Sequence, residues 1–109
     1  MNLPDYLAKY ASDREDAHEK GLPALRRLAA IAAGDSGQAR IVGRFLLGLY
    51  NGHEYPFSLV QLRGLDLELH ADCLLVLRLD LHPAMEVHEY LEDGDVLFQQ
   101  LRDQLEGDQ

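Results

Sequence analysis

Residues 65–82, LDLELHADCLLVLRLDLH, decide the fold class. Leu65, Leu67 and Leu69, then Leu75, Leu77, Leu79 and Leu81, fall on alternate positions, as in a half-buried β-hairpin. Composition points the other way. Val76 is the single β-branched residue, Leu, Glu, Arg and Ala fill the stretch, and no two-residue hairpin turn divides it. Asp66 is also a good N-cap, because its carboxylate can accept from the unpaired N–H groups of a first helical turn. The stretch predicts a buried helix from Leu67 to about Leu79 and hence an all-α fold. A hairpin at 65–82, giving an α+β fold, is the alternative.

Upstream lies a built loop, GLYNGHEYPFSLVQLRGLD, from Gly48 to Asp66. Asn51-Gly52 suits the left-handed backbone that ends a helix, Pro56 holds Tyr55 extended, and Ser58 with Gln61 reads as a cap on a short helix that Gly64 stops. Before the loop, Asp35 with Gln38 resembles a capping box launching Ile41, Val42, Phe45, Leu46 and Leu49 on one face. Gly21 is expected to break an N-terminal helical arm, residues 1–20, and Pro23 to start a helix striped by Leu25, Leu28, Ala29 and Ala32. Leu3, Tyr6, Leu7 and Tyr10 make the arm's own apolar stripe. Downstream, Pro83 opens a short helix carrying Met85, Val87, His88 and Leu91. Asp95 caps a last helix with Leu97, Leu101 and Leu105, and residues 107–109 are expected to fray. The expectation is one domain, 1–109, built as a bundle of five to six short helices.

At 109 residues and 47% hydrophobic, the chain has room for one core. Its longest apolar run, Leu28–Ala33, is far short of the roughly 20 residues a membrane span needs. Cys73 stands alone, so no internal disulfide argues for an oxidising compartment, and a cytoplasmic protein is expected. Net charge is −9 and unevenly spread. Residues 1–52 hold seven Lys/Arg against six Asp/Glu, whereas residues 53–109 hold three against thirteen. An acidic half could meet Arg26, Arg27, Arg40 and Arg44 of another copy in weak, salt-sensitive association.

Candidate chemistry is thin. Gly34-Asp35-Ser36-Gly37 resembles the nucleophile surround of trypsin-like proteases, but it joins two helical patterns, where Asp and Ser are cap residues. His70 with Cys73, and His82 with Glu86, have helical ligand spacing. In the helix reading, however, His70 aligns with Leu67, Leu74 and Leu77 as a core histidine, so no metal or cofactor is assigned. Arg26, Arg27, Arg40 and Arg44 could form a basic patch, yet the overall negative charge disfavours nucleic acid. The loop residues Asn51, His53, Glu54 and Tyr55 remain as the candidate partner-binding set, because a loop held by a scaffold presents such groups.

Seven stretches carry a resemblance: LPALRRL from Leu22, Gly34–Gln38, FLLGLYNG from Phe45, YPFSL from Tyr55, LRGLD from Leu62, DCLLVLRLD from Asp72 and EVHEYL from Glu86. Together, over about residues 22–91, they resemble a family of small uncharacterised proteobacterial proteins often carried on integrated mobile elements. The resemblance implies an intact bacterial domain and transfers no catalytic residue. The reading is a non-enzymatic interaction module that contacts a protein or another copy of itself. Alternatives are a small enzyme or ligand-binding protein using the 51–58 loop, and an acidic nucleic-acid mimic or accessory protein of a mobile element.

Overall fold

Among the described residues, 2–108 of the computed structural model, every regular element is helical: α1 (Leu3–Ala32), α2 (Gly37–Tyr50), α3 (Leu67–Leu81) and α4 (Gly94–Gly107). Short 3₁₀ segments occupy Leu59–Gly64 and Val87–Tyr90. Leucine's helix preference thus prevails over the alternation at 65–82, and the fold is all-α. Asp66 caps α3 as expected, its Oδ1 accepting from the Leu69 N–H at 2.9 Å.

The break at Gly21 does not occur. α1 runs unbroken for 30 residues with Pro23 inside it. An interior proline costs about 3 kcal/mol, but Leu25 and Leu28 on the same stretch are fully buried, each contributing about 1.5–3 kcal/mol. Gly21 is a packing glycine, since a Cβ there would stand 2.7 Å from the Leu79 Cβ and 3.2 Å from the Leu75 carbonyl oxygen. α1 and α3 meet at that point.

Several caps shift from their expected positions. Ser36, not Asp35, caps α2, its Oγ accepting from the Ala39 N–H at 3.0 Å. Gln38 is drawn elsewhere: its Oε1 accepts from the Asp66 N–H at 2.7 Å and ties the start of α2 to the start of α3. The Ser58 hydroxyl makes no cap bond. Neither Asn51 nor Gly52 is left-handed, and Asp93 (φ 58°) is the one such residue among those described. Asp93, rather than Asp95, therefore precedes α4, where a Cβ on Gly94 would strike the His88 carbonyl. At the end of the chain, where fraying is expected over 107–109, α4 is helical to Gly107 and Asp108 lies 3.5 Å from Arg40 and 3.7 Å from Arg44; Gln109 lies outside the described residues.

The core gathers Leu25 and Leu28 of α1, Val42, Phe45, Leu46 and Leu47 of α2, Cys73 and Val76 of α3, and Phe98 and Leu101 of α4. α3 packs chiefly on α1. It lies at the edge of the bundle rather than inside it.

Candidate functional site

At 3.6 residues per turn, a row of alternate residues winds around the whole helix. The leucines of α3 therefore cannot share one face. Cys73, Val76 and Leu79 turn inward and are buried, whereas Leu67, Leu74, Leu77 and Leu81 are 88%, 52%, 38% and 69% exposed. Ala71 and Arg78 complete the outward face and half-buried His70 flanks it, so the expected buried helix is buried on one side only. His70 is correspondingly not a core residue.

A second uncovered stripe adjoins the first. Leu3, Tyr6, Leu7 and Tyr10 continue the α1 face that carries Gly21, Leu25 and Leu28 into the core, yet all four are exposed. The cause is length. α3 ends near Tyr10, whose ring meets that of His82 edge-on at 4.9 Å, so the preceding turns of α1 overhang with no α3 beneath them. Beside the other end of α3, an open and mostly apolar groove of about 570 Å³ runs past Ile31, Leu69 and Ala71.

Between the overhang and the end of α3 lies a groove of about 350 Å³, bordered by Lys9, Arg14, His18, Arg78 and His82, with Asp13 the one carboxylate among them, over Tyr10, Ala17 and Leu79. Arg78 is engaged, donating to Asp16 Oδ2 at 2.7 Å and to the Asp13 carbonyl at 3.4 Å. That bond, followed by Lys20, lowers the Asp16 pKa. Lys9 and Arg14 have no ion pair among the described residues. The groove can accept a small anion with an apolar body.

The predicted loop set divides. The Asn51 carboxamide holds a turn, its Oδ1 accepting from the Glu54 N–H at 3.1 Å and its Nδ2 donating to Glu54 Oε2 at 3.4 Å. His53 stands exposed beside it. Glu54 and half-buried Tyr55 line a cleft of about 260 Å³ with Arg44, Gln61 and Leu105. Burial first, then the neighbouring Glu54 carboxylate, push the Tyr55 phenol up. Asn51 and His53 do not reach this cleft.

The basic patch does not assemble. Arg27 donates through Nε and Nη2 to buried Asp72 at 3.0 and 2.8 Å, while Arg40 and Arg44 share Asp108. Cys73 is fully buried, and burial, with Asp72 adding to it, pushes its thiol up to about 11. His82 and Glu86 lie beyond the end of α3, so their helical spacing loses its meaning. No group of three or more His, Cys, Asp or Glu side chains converges as for a metal among the described residues. No described helix is long and apolar enough to cross a membrane.

The α3 face was missed because the leucines were counted as core. The signal was available in their spread over all sides of a helix, which calls for neighbours on all sides. No curated protein and no solved structure matches the chain. What it shares with other proteins begins inside α1 and takes in α2, the loop, α3 and almost all of α4. With residues 22–106 matched, the chain belongs to DUF7673, a family of unknown function, with the α3 face inside the shared region and the α1 overhang ahead of it.

Proposed function

We propose that the chain is a non-enzymatic protein-interaction module whose principal contact is the outward face of α3. One observation supports this reading: α3 is apolar on both sides and only one side is covered. A helix hydrophobic all round is normally buried, and a contiguous apolar face on a small domain marks a contact site. The four outward leucines expose the equivalent of two to three whole side chains, on the order of 5 kcal/mol of gross burial. Association costs about 4–15 kcal/mol, so this face alone supports weak binding and gains from the adjoining overhang. The 51–58 loop, with His53 and Glu54 exposed, is a lesser contact in this proposal. The bacterial cytoplasm suits a chain with a single buried thiol.

The test is capture from a lysate of the native host. A Leu74→Glu/Leu81→Glu double variant, altered only at exposed positions, should unfold within about 1 kcal/mol of the parent. It should lose proteins that the parent captures. If it retains every one of them, the α3 face is not the contact.

A second reading has its own observation: Lys9 and Arg14, without ion pairs among the described residues, outnumber Asp13 in one groove of an acidic chain. It makes the groove a site for a small aryl or alkyl anion. Titration with an aromatic carboxylate, followed by the amide signals of Lys9–His18, should show saturable binding that Lys9→Ala/Arg14→Ala abolishes. Unchanged binding in that variant would remove this reading.

A further inference from the structure

We infer that the occupant of the α3 face is a second copy of the chain, packed antiparallel about a two-fold axis at Leu74. This rests on the reading of α3 as the contact surface. The face is self-complementary in three respects.

The first is spacing. Leu67, Leu74 and Leu81 recur every seven residues, two helical turns, and so form one row along the outward face. Turned end for end about Leu74, the row maps onto itself, with Leu67 against Leu81 of the second copy. At about 100° per residue, Arg78 leans to the same side as Ala71 and Glu68, while Leu77 leans to the side of His70. The rotation therefore sets the Arg78 guanidinium over the small Ala71 and beside Glu68 of the second copy, and Leu77 beside its His70.

The second is charge. Asp66 and Glu68 stand at the start of α3, and Arg78 and His82 on the outward side of its end, where half-buried Asp80 is turned toward the covered side. Antiparallel packing places the acidic end of one copy at the basic end of the other and opposes the helix dipoles. Parallel packing would place acid on acid. Arg78 remains 41% exposed while bonded to Asp16, so its open side can take a second carboxylate.

The third is area. A strip about 22 Å long and about 10 Å wide provides a few hundred Å², whereas a stable dimer needs about 800 Å² from each partner. The overhang supplies the remainder. Leu3, Tyr6 and Leu7 extend past the C-terminal end of α3, which in the antiparallel pair is where the second copy begins its own α3. The segment leading into that helix exposes Leu59 and Val60, with the Ile31 groove close by. One rotation thus gives a partner to the α3 face, the overhang and this segment together.

Cysteine cross-linking reads out both stoichiometry and direction. Buried Cys73 should leave the parent chain unlinked and serves as the control. Leu74→Cys alone should form a disulfide dimer under mild oxidation. Leu67→Cys mixed with Leu81→Cys should link at least tenfold more than either alone. Light scattering on the unmodified full chain at about 100 µM should give twice the monomer mass, and Leu74→Glu should raise the dissociation constant tenfold or more. Self-linking of Leu67→Cys and of Leu81→Cys would overturn the antiparallel arrangement. A monomeric mass with no cross-linking would overturn the second copy as occupant. If capture from the host lysate still depends on Leu74 and Leu81 in that case, the contact surface stands and only its occupant is wrong.

Discussion

Asp72 is the one buried charged side chain among the described residues, and its carboxylate depends on two donors from a single Arg27 side chain that is itself more than half exposed. The two partners are therefore unequal. Arg27→Ala leaves a buried carboxylate without its donors and should cost about 1.5–3 kcal/mol in urea unfolding. Adding Asp72→Leu should recover most of that loss, because the unpaired group is then gone. Asp80 carries a different liability: burial first, then Glu86, raise its pKa. A raised acid destabilises the folded state once it is ionised. Asp80→Asn should therefore stabilise the chain at pH 7, and the gain should vanish as the pH falls from the raised value to below the unfolded value of about 3.9. Urea midpoints of both chains at pH 7 and near pH 3.5 would check it.

The α1–α3 pair shows which parts of the fold could be read from sequence. Helix at 67–81 was legible because leucine propensity and the Asp66 cap act within a few residues of each other. Gly21 was not, because its role is set by Leu79, 58 residues away. Read locally, it ends a helix; in the fold it admits one. The caps moved for the same reason, since Asp66 claims the Gln38 side chain across the molecule and leaves Ser36 to start α2. The candidate surface was legible only in part: the sequence gives α3 apolar residues on every side but does not give the number of its neighbours. Gly21→Ala tests the packing role. Ala improves helix propensity by about 1 kcal/mol, yet a methyl 2.7 Å from the Leu79 Cβ must push the helices apart. We expect a net loss of about 1–3 kcal/mol in thermal unfolding. A gain would mean that α1 and α3 separate easily.

The molecule measures 52 × 27 × 24 Å, the long axis being set by α1, a rod of about 45 Å. Its electrical asymmetry is bridged, though not cancelled, within the chain. The near-neutral first half reaches the acidic second half through Arg27–Asp72 and through Arg40 and Arg44 to Asp108, and the bond is repaid in the other direction by Arg78–Asp16. The arginines expected to bind another copy are thus mostly occupied. Association should rest chiefly on apolar packing, with Arg78 beside Glu68 of the second copy as its charged contact, so its dissociation constant should rise by less than about tenfold between 50 and 500 mM salt in sedimentation runs. A larger loss would return Arg26, Arg27, Arg40 and Arg44 to the interface.

The Gln38–Asp66 hydrogen bond closes the chain into a ring that contains α2 and the whole central loop. What lies within a closed ring can change in length without moving the point of closure. Each doubling of a flexible loop adds only about 0.6 kcal/mol of closure entropy, and His53 stands at an exposed tip away from the core. Six Gly/Ser residues inserted between Gly52 and His53 give up the exposed Asn51–Glu54 turn bonds as well as closure entropy and should lower stability by only about 1–2 kcal/mol, whereas the same insert in a Gln38→Ala background should cost more. If so, the middle of this protein is a port: a place where sequence can be added, in the laboratory or over generations, while the helices on either side keep their places.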